Sequence, residues 1–498
     1  MAIFIIYRLL RNVNDWIYLS WWPEDHGNHR NRLPPGDLGW PLIGNMISLF
    51  TAFKFGRPNS LISSTFTTRF GKAPMYRAFL FGKPCIIVTT AEACRKVLTD
   101  ERFGGSWPKS LTILLGKRGF HGVSNQERKR LRRQIAAPIL ASPESLSLFI
   151  DYIDGIAKNA FSTWEQMEKP IELLTEMRKT VFKVMINVIL GDEINEDQEL
   201  MDCLANDNAS LSHGLKSMTI NLPGFAFHRA LKARKRLVET FAGFVAQRTA
   251  SMAKEGNDDE SKKKKNLLSL MIEIQDDEGN KLSDEDIIDL MIIFLMAGHE
   301  TSAHAITWAI IFLQENPQIL EKAKGEQEKI VQNRSSSSKD LSYNEVKQMK
   351  YLQKVIIETL RLVNLSITLF REATTDINMD GYRIPKGWRV LPWIRSVHLD
   401  PENHKNPMEF NPSRMDEEKN KLGTLIPFGA GSRLCPGADL AKLQISVFLH
   451  HFLLNYRMER INPGGKVQYL PAPRPADKCL ARIMRLSTGS SETAKKLV

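Results

Sequence analysis

Apolar residues along most of the chain recur with the period of an α-helix. Between Ala91 and Leu362 they return every three or four positions, which predicts a succession of amphipathic helices. The longest predicted helix begins after Ser283, a residue type that caps helix N-termini, and stays apolar through Leu313 until Pro317 ends it. The pattern therefore predicts a mainly helical body.

Short β-forming runs on both sides of the helical region predict a smaller sheet portion. Between Lys54 and Thr90 such runs are bounded by Gly and Pro. Strand signals return between Arg371 and Val390, where Asp380-Gly381 is typical of a hairpin turn and Pro385-Lys386-Gly387 of a second turn. The predicted fold class is mainly α with a smaller β portion, an α+β fold.

Two polar insertions separate the predicted helices. One covers Asn257–Asn266 and contains four consecutive lysines, and the other covers Gln332–Asp340 and contains four consecutive serines. Both compositions are typical of solvated loops. Because no aromatic residues accompany the lysines, nucleic acid is not an expected partner.

Two short apolar patches open the chain, at Met1–Leu10 and Trp16–Trp22. Neither reaches the roughly 20 residues that span a bilayer. They predict a tryptophan-rich anchor at the membrane interface or the end of a longer anchor, and an ordinary amphipathic helix is the alternative. A basic stretch rich in Pro and Gly follows. We therefore divide the chain into an anchor over residues 1–31, a hinge over 32–45 and a globular body over 46–498.

Composition narrows the class of protein. Of the 498 residues, 43% are hydrophobic and 25% are charged, which is typical of a globular enzyme. The net charge of +12 fits an anionic membrane surface, an acidic redox partner or nucleic acid, and does not choose among them. The five cysteines are too few and too far apart for a disulfide framework or a zinc site.

The segment Pro427–Gly437, which we call the cysteine loop, carries the strongest chemical signal. Its sequence Pro-Phe-Gly-Ala-Gly-Ser-Arg-Leu-Cys-Pro-Gly precedes a predicted helix. Glycines allow a tight loop to approach a flat ligand, and Pro436 suits a first helical position, so Cys435 is predicted at a helix N-terminus that favours a thiolate. A thiolate is the ligand that promotes O–O cleavage at haem iron. A glycine-rich turn with a buried cysteine is the alternative.

A polar motif also interrupts the long apolar helix. It reads Ala297-Gly298-His299-Glu300-Thr301-Ser302. Because a glycine inside a helix costs about 1 kcal/mol, the motif suggests a function. His299 could be a metal ligand, but beside a thiolate motif we expect it to be a polar neighbour.

The positions of Phe428, Gly431, Arg433, Cys435 and Gly437 resemble the haem-binding signature of the cytochrome P-450 superfamily. The resemblance implies a cytochrome P-450 fold in which haem lies between the long oxygen-binding helix and the cysteine loop. It implies a haem-thiolate monooxygenase with haem b, with Cys435 as the metal ligand. The body over 46–498 would then be the catalytic domain.

The resemblance assigns further roles in the long helix and near the haem. Ala297 would leave room for O2, and Glu300 and Thr301 would be the catalytic pair that relays protons. Phe428 and Gly431 would contact the haem.

Three arginines, Arg433, Arg371 and Arg132, match residues that hold the haem propionates in the superfamily. Arg128 stands where the family usually has Trp or His, so the alternative for the basic stretch Arg128–Arg133 is an exposed face that docks an acidic reductase.

Glu358 and Arg361 lie three positions apart on a predicted helix. Such a pair means little alone, because exposed helical ion pairs are common. In the superfamily this pair joins a downstream arginine in a buried network, and Arg414 stands at the matching position. The trio is therefore expected to brace the cysteine loop.

The stretches Leu33–Pro41, Val88–Asp100, Phe370–Val390 and Phe428–Leu443 resemble the plant ent-kaurenoic acid oxidase family, whose relatives include triterpenoid oxidases. This resemblance implies an endoplasmic-reticulum membrane enzyme with its catalytic domain facing the cytosol. It implies O2, a terpenoid substrate and NADPH-cytochrome reductase as partners.

The chain also departs from these relatives. Met415 replaces a usual Trp or Phe, and Asn364 replaces a frequent Pro. Three segments are expected to face substrate: Gly105–His121, Leu365–Leu369 and Pro471–Pro475. They resemble ent-kaurenoic acid oxidase, the gibberellin-pathway enzyme, less than the rest of the chain does. A limonoid-type triterpenoid of plant specialised metabolism is therefore favoured over ent-kaurenoic acid. A haem-thiolate isomerase and a catalytically silent haem- or lipid-binding protein are the rival functions.

Overall fold

Helices form most of the protein in the computed structural model, which describes residues 13–19, 32–116, 125–191, 194, 197–255, 266–276, 278–334, 340–417, 423–470 and 472–486. The α-helices cover residues 13–19, Met46–Lys54, Thr68–Phe70, Ala91–Thr99, Lys109–Leu115, Asn125–Leu131, Ala137–Leu140, Pro143–Glu165, Leu173–Leu190, Gln198–Leu215, Ala226–Glu255, Leu267–Glu273, Asp284–Glu315, Pro317–Gln332, Tyr343–Gln348, Lys350–Val363, Ile394–His398, Arg414–Glu417 and Ala438–Asn455. π-Helical turns cover Leu61–Thr67 and Arg132–Ala136, and a 3-10 turn covers Gly431–Arg433. The prediction of a mainly helical body is confirmed.

The helix Asp284–Glu315, which we call the central helix, begins and ends where its sequence predicts. The Ser283 side chain accepts a hydrogen bond from the Asp286 N–H while the Asp286 carboxylate accepts one from the Ser283 N–H, a capping box. Pro317 starts the next helix. Three long helices pack against the central helix: Leu173–Leu190, Ala226–Glu255 and Ala438–Asn455.

The main sheet has five strands in the order β1-β2-β8-β5-β3. Their bounds are β1 Met75–Leu80, β2 Lys83–Val88, β3 Phe103–Gly105, β5 Arg371–Ala373 and β8 Arg389–Pro392. Strands β2 and β8 are parallel and the other neighbours are antiparallel. The register places Arg371 opposite Gly105 on one side and Val390 on the other.

Three smaller sheets make up the rest of the β portion within the described ranges. They are β4-β12-β9, β6-β7 and β10-β11. Their strands cover β4 Ile171–Glu172, β6 Ile377–Met379, β7 Tyr382–Ile384, β9 Tyr456–Arg460, β10 Val467–Gln468, β11 Arg474–Pro475 and β12 Leu480–Arg485. The β6-β7 turn is the predicted Asp380-Gly381 hairpin, with φ of 49° and 80° at the two residues.

Apolar side chains divide into one large cluster among the long helices and two on the main sheet. Ile86 and Val390 belong to one sheet cluster, whereas Ile87 and Leu391 belong to the other. This alternation is what a strand buried on both faces requires.

Residues 13–19 form a helix that is hydrogen-bonded to the segment predicted as a hinge. The buried Asn14 side chain donates from Nδ2 to the carbonyls of Leu38 at 3.0 Å and Trp40 at 2.5 Å, and its Oδ1 accepts from the Leu42 N–H at 3.3 Å. The rest of the predicted anchor, and most of both polar insertions, lie outside the described residues.

Within the described ranges, every helix is too short or too polar to cross a membrane.

Candidate active site

The cysteine loop is closed by hydrogen bonds between its own backbone groups. The Cys435 N–H donates to the Phe428 carbonyl at 2.9 Å, and the Leu434 N–H donates to the Gly431 carbonyl at 3.1 Å. Gly431 has φ 68°, and a Cβ there would collide with the Leu98 carbonyl. Glycine is therefore required at position 431, both for the backbone conformation and for the approach of the loop to the helix Ala91–Thr99.

Cys435 lies just before the helix Ala438–Asn455, as predicted, although Pro436 and Gly437 form a turn ahead of the first helical residue. Burial raises the pKa of the Cys435 thiol, while the Gly437 N–H and the positive charge of Arg132 act in the opposite direction. The expected influence of the helix end is present but smaller than that of burial. A stable thiolate here needs a further positive partner, and a metal ion supplies one.

Arginines surround the cysteine loop. Arg132 donates from Nη1 to the Leu434 carbonyl at 2.5 Å, next to Cys435. Burial and then the charges of Arg433, Arg371 and Arg132 lower the pKa of Arg128 to about 9. Burial and the charge of Arg433 lower the pKa of Arg371 to about 10. The structure thus brings together the three predicted propionate-binding arginines and adds Arg128, which is only 6% exposed.

These residues fit haem. Buried guanidinium groups that repel one another form a site for anions, and haem carries two carboxylates. Gly105 has no side chain at a point where a Cβ would collide with the Arg433 guanidinium, so strand β3 leaves room for that arginine. The cysteine beside the cluster supplies the sulfur ligand that haem iron accepts.

The central helix opens on one face at the predicted motif. Ala297 and Thr301 are exposed, whereas Gly298 and Glu300 are half-buried and His299 is buried. They lie four positions apart and so share a face. Thr301 donates from Oγ1 to the Ala297 carbonyl at 2.7 Å. This face has the small residue and the hydroxyl that the motif predicted.

Glu300 points into a cluster of cations on a neighbouring face. Its carboxylate lies 3.0 Å from Arg178 Nη2, 3.2 Å from Lys216 Nζ and 3.2 Å from Ser212 Oγ. Burial raises the pKa of Glu300, but the charges of Lys216 and Arg178 outweigh it and lower the pKa to about 2. Glu300 is therefore ionised and ties the central helix to two other helices.

The two histidines near this motif are neutral neighbours. His299 donates from Nδ1 to the Leu295 carbonyl at 2.8 Å, and burial lowers its pKa. His304 donates from Nδ1 to the Glu300 carbonyl at 2.7 Å, and burial, with a contribution from Arg178, lowers its pKa to about 4. Among the described residues no group of histidine, cysteine and acidic side chains could hold a metal ion. The expectation that His299 is a polar neighbour agrees with its position.

The Glu358 trio is buried as expected. Arg361 donates to Glu358 from Nε at 2.7 Å and from Nη2 at 2.9 Å, and Arg414 donates from Nε at 3.3 Å. Arg361 Nη1 also donates to the carbonyls of His398 and Pro407. The trio therefore fastens the helix Lys350–Val363 to the segment that leads into the cysteine loop.

A cavity of about 390 Å³ lies between this helix and the cysteine loop. Its lining is Gln353, Lys354, Ile357, Met415, Leu425, Ile426, Pro427, Phe428, Gly429 and Leu434. Met415 is the position where the resembled family usually carries an aromatic residue, so the smaller side chain leaves space beside the loop.

Sequence reasoning missed the partners of Glu300. Arg178 and Lys216 are 122 and 84 positions away from it, and neither belongs to a motif. Basic residues on amphipathic helices are common, so no local signal could have found them. The predicted substrate segment Gly105–His121 is described only through residue 116, and Pro471 also lies outside the described residues.

Three comparisons with known proteins found similar chains. The family model for cytochrome P450 matches residues 34–472. The chain is 49% identical to ent-kaurenoic acid oxidase 2 of Arabidopsis thaliana, covering 97% of this chain and 96% of that one. It is 46% identical to 7,8-epoxymelianol synthase CYP88A154 of Ailanthus altissima, covering 97% and 95%.

A third relative is beta-amyrin 11-oxidase of Glycyrrhiza uralensis, 45% identical over 96% of this chain and 95% of that one. Among solved structures, the retinoic acid bound cyanobacterial CYP120A1 has a TM-score of 0.79 at 26% identity, covering 92% of this chain and 100% of that one.

Proposed function

Because the chain belongs to the cytochrome P450 family and is a haem-iron monooxygenase, we propose that it inserts one oxygen atom of O2 into a polycyclic terpenoid by hydroxylation or epoxidation. The observation that carries the proposal is the cluster in which Cys435 lies beside Arg132, the half-buried Arg433 and two buried arginines, Arg128 and Arg371. That cluster fits haem b, which activates O2 when it is bound.

The proposed roles follow from the surroundings of each side chain. Cys435 would hold the iron through Sγ. Arg433, Arg371 and Arg132 would neutralise the propionates, and Arg128 would share that task because it lies within the same group of charges. Phe428 and Gly431 shape the cysteine loop that would contact the haem, and Ala297 would leave room for O2.

Thr301 and Glu300 manage protons in this proposal. The Thr301 hydroxyl lies on the open face of the central helix, where it can hold a proton at Oγ1 near the reacting oxygen. Glu300 is ionised and held by Lys216 and Arg178. Because Glu300 stays ionised and its partners Arg178 and Lys216 are partly exposed, its proposed role is to order proton-carrying groups between the helix and solvent, not to hold the proton itself.

The substrate we propose is a limonoid-type triterpenoid. The names of two relatives refer to melianol and beta-amyrin, both triterpenoids. Ent-kaurenoic acid is the second candidate, because the relative at 49% identity is named for it. The three relatives are 45–49% identical to this chain, so overall sequence identity does not distinguish between the two substrates.

Electrons would come from NADPH through NADPH-cytochrome reductase. Lys129 and Arg130 remain partly exposed beside the arginine cluster, which supports docking of an acidic partner. Arg128, by contrast, is too buried to belong to a solvated face.

Membrane attachment through residues 1–31 is supported by exposed apolar side chains around the helix over residues 13–19. Trp16 is 72% exposed and Leu42 is 86% exposed, and Ile43, Ile47, Phe50 and Phe55 add to the same end of the chain. An apolar surface of this kind fits a lipid interface, here the cytosolic face of the endoplasmic reticulum.

Microsomes containing this chain and a plant reductase would test the proposal. We expect NADPH-dependent turnover of protolimonoid triterpenes and a red-shifted Soret band in the reduced carbon monoxide complex. The Cys435→Ser variant loses that band, while Cys203→Ser, at an exposed cysteine, keeps it. Turnover of ent-kaurenoic acid alone selects the second candidate. An intact Soret band with neither NADPH consumption nor product from either substrate class would support a silent binding protein.

A further inference from the structure

The base of the cysteine loop is held by a buried histidine outside the Glu358 trio. His398 ends the helix Ile394–His398 and is fully buried. The Ile426 N–H, immediately before Pro427, donates to His398 Nε2 at 3.0 Å. On the other side of the ring, Nδ1 lies 2.7 Å from Asn364 Oδ1.

The hydrogen bonds determine the protonation of this ring. A backbone N–H can only donate, so Nε2 must be the unprotonated acceptor and Nδ1 carries the proton. The orientation of the Asn364 amide supports this protonation, because its Nδ2 donates to the carbonyls of Arg361 at 2.7 Å and Leu362 at 3.3 Å. Its Oδ1 is therefore turned to accept from His398.

The backbone at Asn364 explains the residue type. Asn364 ends the helix Lys350–Val363 with φ 53°, a left-handed conformation that asparagine tolerates better than most residues. Proline, frequent at this position in related chains, cannot adopt a positive φ and has no side-chain amide. A chain with proline at this position could not form the hydrogen bond between Asn364 and His398 that is present here.

The carbonyl of His398 closes the connection by accepting from Arg361 Nη1 at 2.7 Å. One residue therefore touches the Glu358 trio through its carbonyl, the end of the trio's helix through Nδ1 and the cysteine loop through Nε2. We propose that His398 is a positioning residue whose neutral ring transmits the fixed position of the trio to the cysteine loop and so holds Cys435 in place for ligation.

This inference rests on the proposal that Cys435 is the haem ligand. Two substitutions separate the two sides of the ring. His398→Gln places an amide oxygen near the position of Nε2 and can keep the bond from Ile426. His398→Asn reaches only the position of Nδ1 and keeps the bond to Asn364, leaving the Ile426 N–H buried and unbonded.

The experiment uses the haem-loaded full chain. It measures the fraction of the reduced carbon monoxide complex that shows the red-shifted Soret band, and the rate at which warming converts that fraction to the unshifted form. The ratio compared is that of the red-shifted to the unshifted form. We expect His398→Gln, which loses the bond to Asn364 but can keep the one from Ile426, to shift this ratio roughly two- to fivefold toward the unshifted form. We expect His398→Asn to shift the ratio roughly tenfold toward the unshifted form, the size of one lost buried hydrogen bond.

His450→Asn is the matched control, because His450 is also buried and bonded through Nδ1, to Gln327 at 2.9 Å, but does not touch the cysteine loop. It should lower thermal stability without changing the Soret ratio. Asn364→Gly keeps the positive φ and removes only the amide. It therefore tests the hydrogen bond at His398 Nδ1 even where the histidine variants fold poorly. We expect a roughly two- to tenfold shift from it.

Equal Soret ratios for His398→Asn and His398→Gln, or an unchanged ratio in Asn364→Gly, would overturn the inference while leaving the proposed function standing. Absence of the red-shifted band in the wild type would instead overturn ligation by Cys435, and the inference with it.

Discussion

Thr301 and Glu300 are neighbours in sequence but face different surroundings. The hydroxyl lies on the open face of the central helix, and the carboxylate lies among Arg178, Lys216 and Ser212. Consecutive residues of a helix point about 100 degrees apart, so adjacent side chains can lie on different faces of the helix. The two side chains therefore lie on different faces of the central helix, one open and one ion-paired.

Removing the Thr301 hydroxyl should separate NADPH consumption from product formation. For Thr301→Ala we expect the product formed per NADPH to fall by about tenfold or more, because a positioned proton donor is lost. Thr301→Ser should restore most of the yield. Product and NADPH are measured in the same reaction, and a Thr301→Ala enzyme with wild-type yield would show that the hydroxyl is dispensable.

The depressed pKa of Glu300 makes the stability of the fold depend on pH. Its pKa of about 2 lies below the ordinary value of about 4.3, so the carboxylate stabilises the folded state above that ordinary value. The contribution is lost as the pH falls toward 2. Glu300→Gln should lower the free energy of unfolding by about 1–3 kcal/mol at neutral pH, and the difference from the wild type should shrink below about pH 4.

Thermal unfolding at several pH values measures this difference. Glu92→Gln, at an exposed pair with Lys96, is the control and should change little at any pH. A constant Glu300→Gln difference from neutral to acidic pH would contradict the assignment of the ion pairs to Glu300.

At the scale of elements, the cysteine loop is held from several sides. The helix Ala91–Thr99 packs against Gly431, Arg132 bonds to the Leu434 carbonyl, and the Glu358 trio fixes the segment before Ile426. The loop's own hydrogen bonds could not define its position relative to the central helix. Among the described residues, the cavity lined by Met415 is a place in this support where packing is incomplete.

Filling that cavity should stabilise the loop. Met415→Phe adds apolar volume between the helix Lys350–Val363 and the loop, and we expect a gain of about 0.5–2 kcal/mol in the free energy of unfolding. Met408→Phe is the matched control, since Met408 is 67% exposed and gains no packing. Denaturant unfolding of both variants measures the effect, and a loss of stability in Met415→Phe would mean that the space is too narrow for a ring.

The elements themselves were largely predictable. The capping box at Ser283, the stop at Pro317 and the Asp380-Gly381 hairpin are local signals, and each is found where it was expected. The cysteine loop and the Glu358 trio were predictable because five and three fixed residue types mark them. His398, Arg178 and Lys216 were not, because their roles depend on contacts between distant segments, which periodicity does not encode.

At the scale of the whole molecule, the arginine cluster should couple cofactor binding to stability if it holds the haem carboxylates as proposed. Arg128 and Arg371 are buried and their pKa values are lowered to about 9 and about 10, so each folded chain holds like charges together. Carboxylates placed among them turn repulsion into attraction. Ligand binding then adds to the stability of the fold by mass action.

Arg371→Gln should therefore change stability in opposite directions in the two forms of the protein. Without haem the variant should unfold at a higher temperature than the wild type, because a buried charge is gone. With haem it should unfold at a lower temperature, because a propionate loses its partner. Scanning calorimetry of both forms measures the two shifts. If the haem-free variant were instead less stable than the wild type, other groups in the protein would already compensate the positive charge of Arg371.

Asn14 has a consequence beyond the hydrogen bonds it makes. Its side chain is hydrogen-bonded to the backbone of Leu38, Trp40 and Leu42, and so fixes the helix over residues 13–19 against the hinge segment. If residues 1–31 sit at a lipid surface as proposed, the catalytic body cannot swivel freely on its tether. Its tilt over the bilayer, and with it the direction from which an apolar molecule arrives, would then depend on the hydrogen bonds of Asn14 and of its neighbour Asp15, which accepts from the Leu38 N–H.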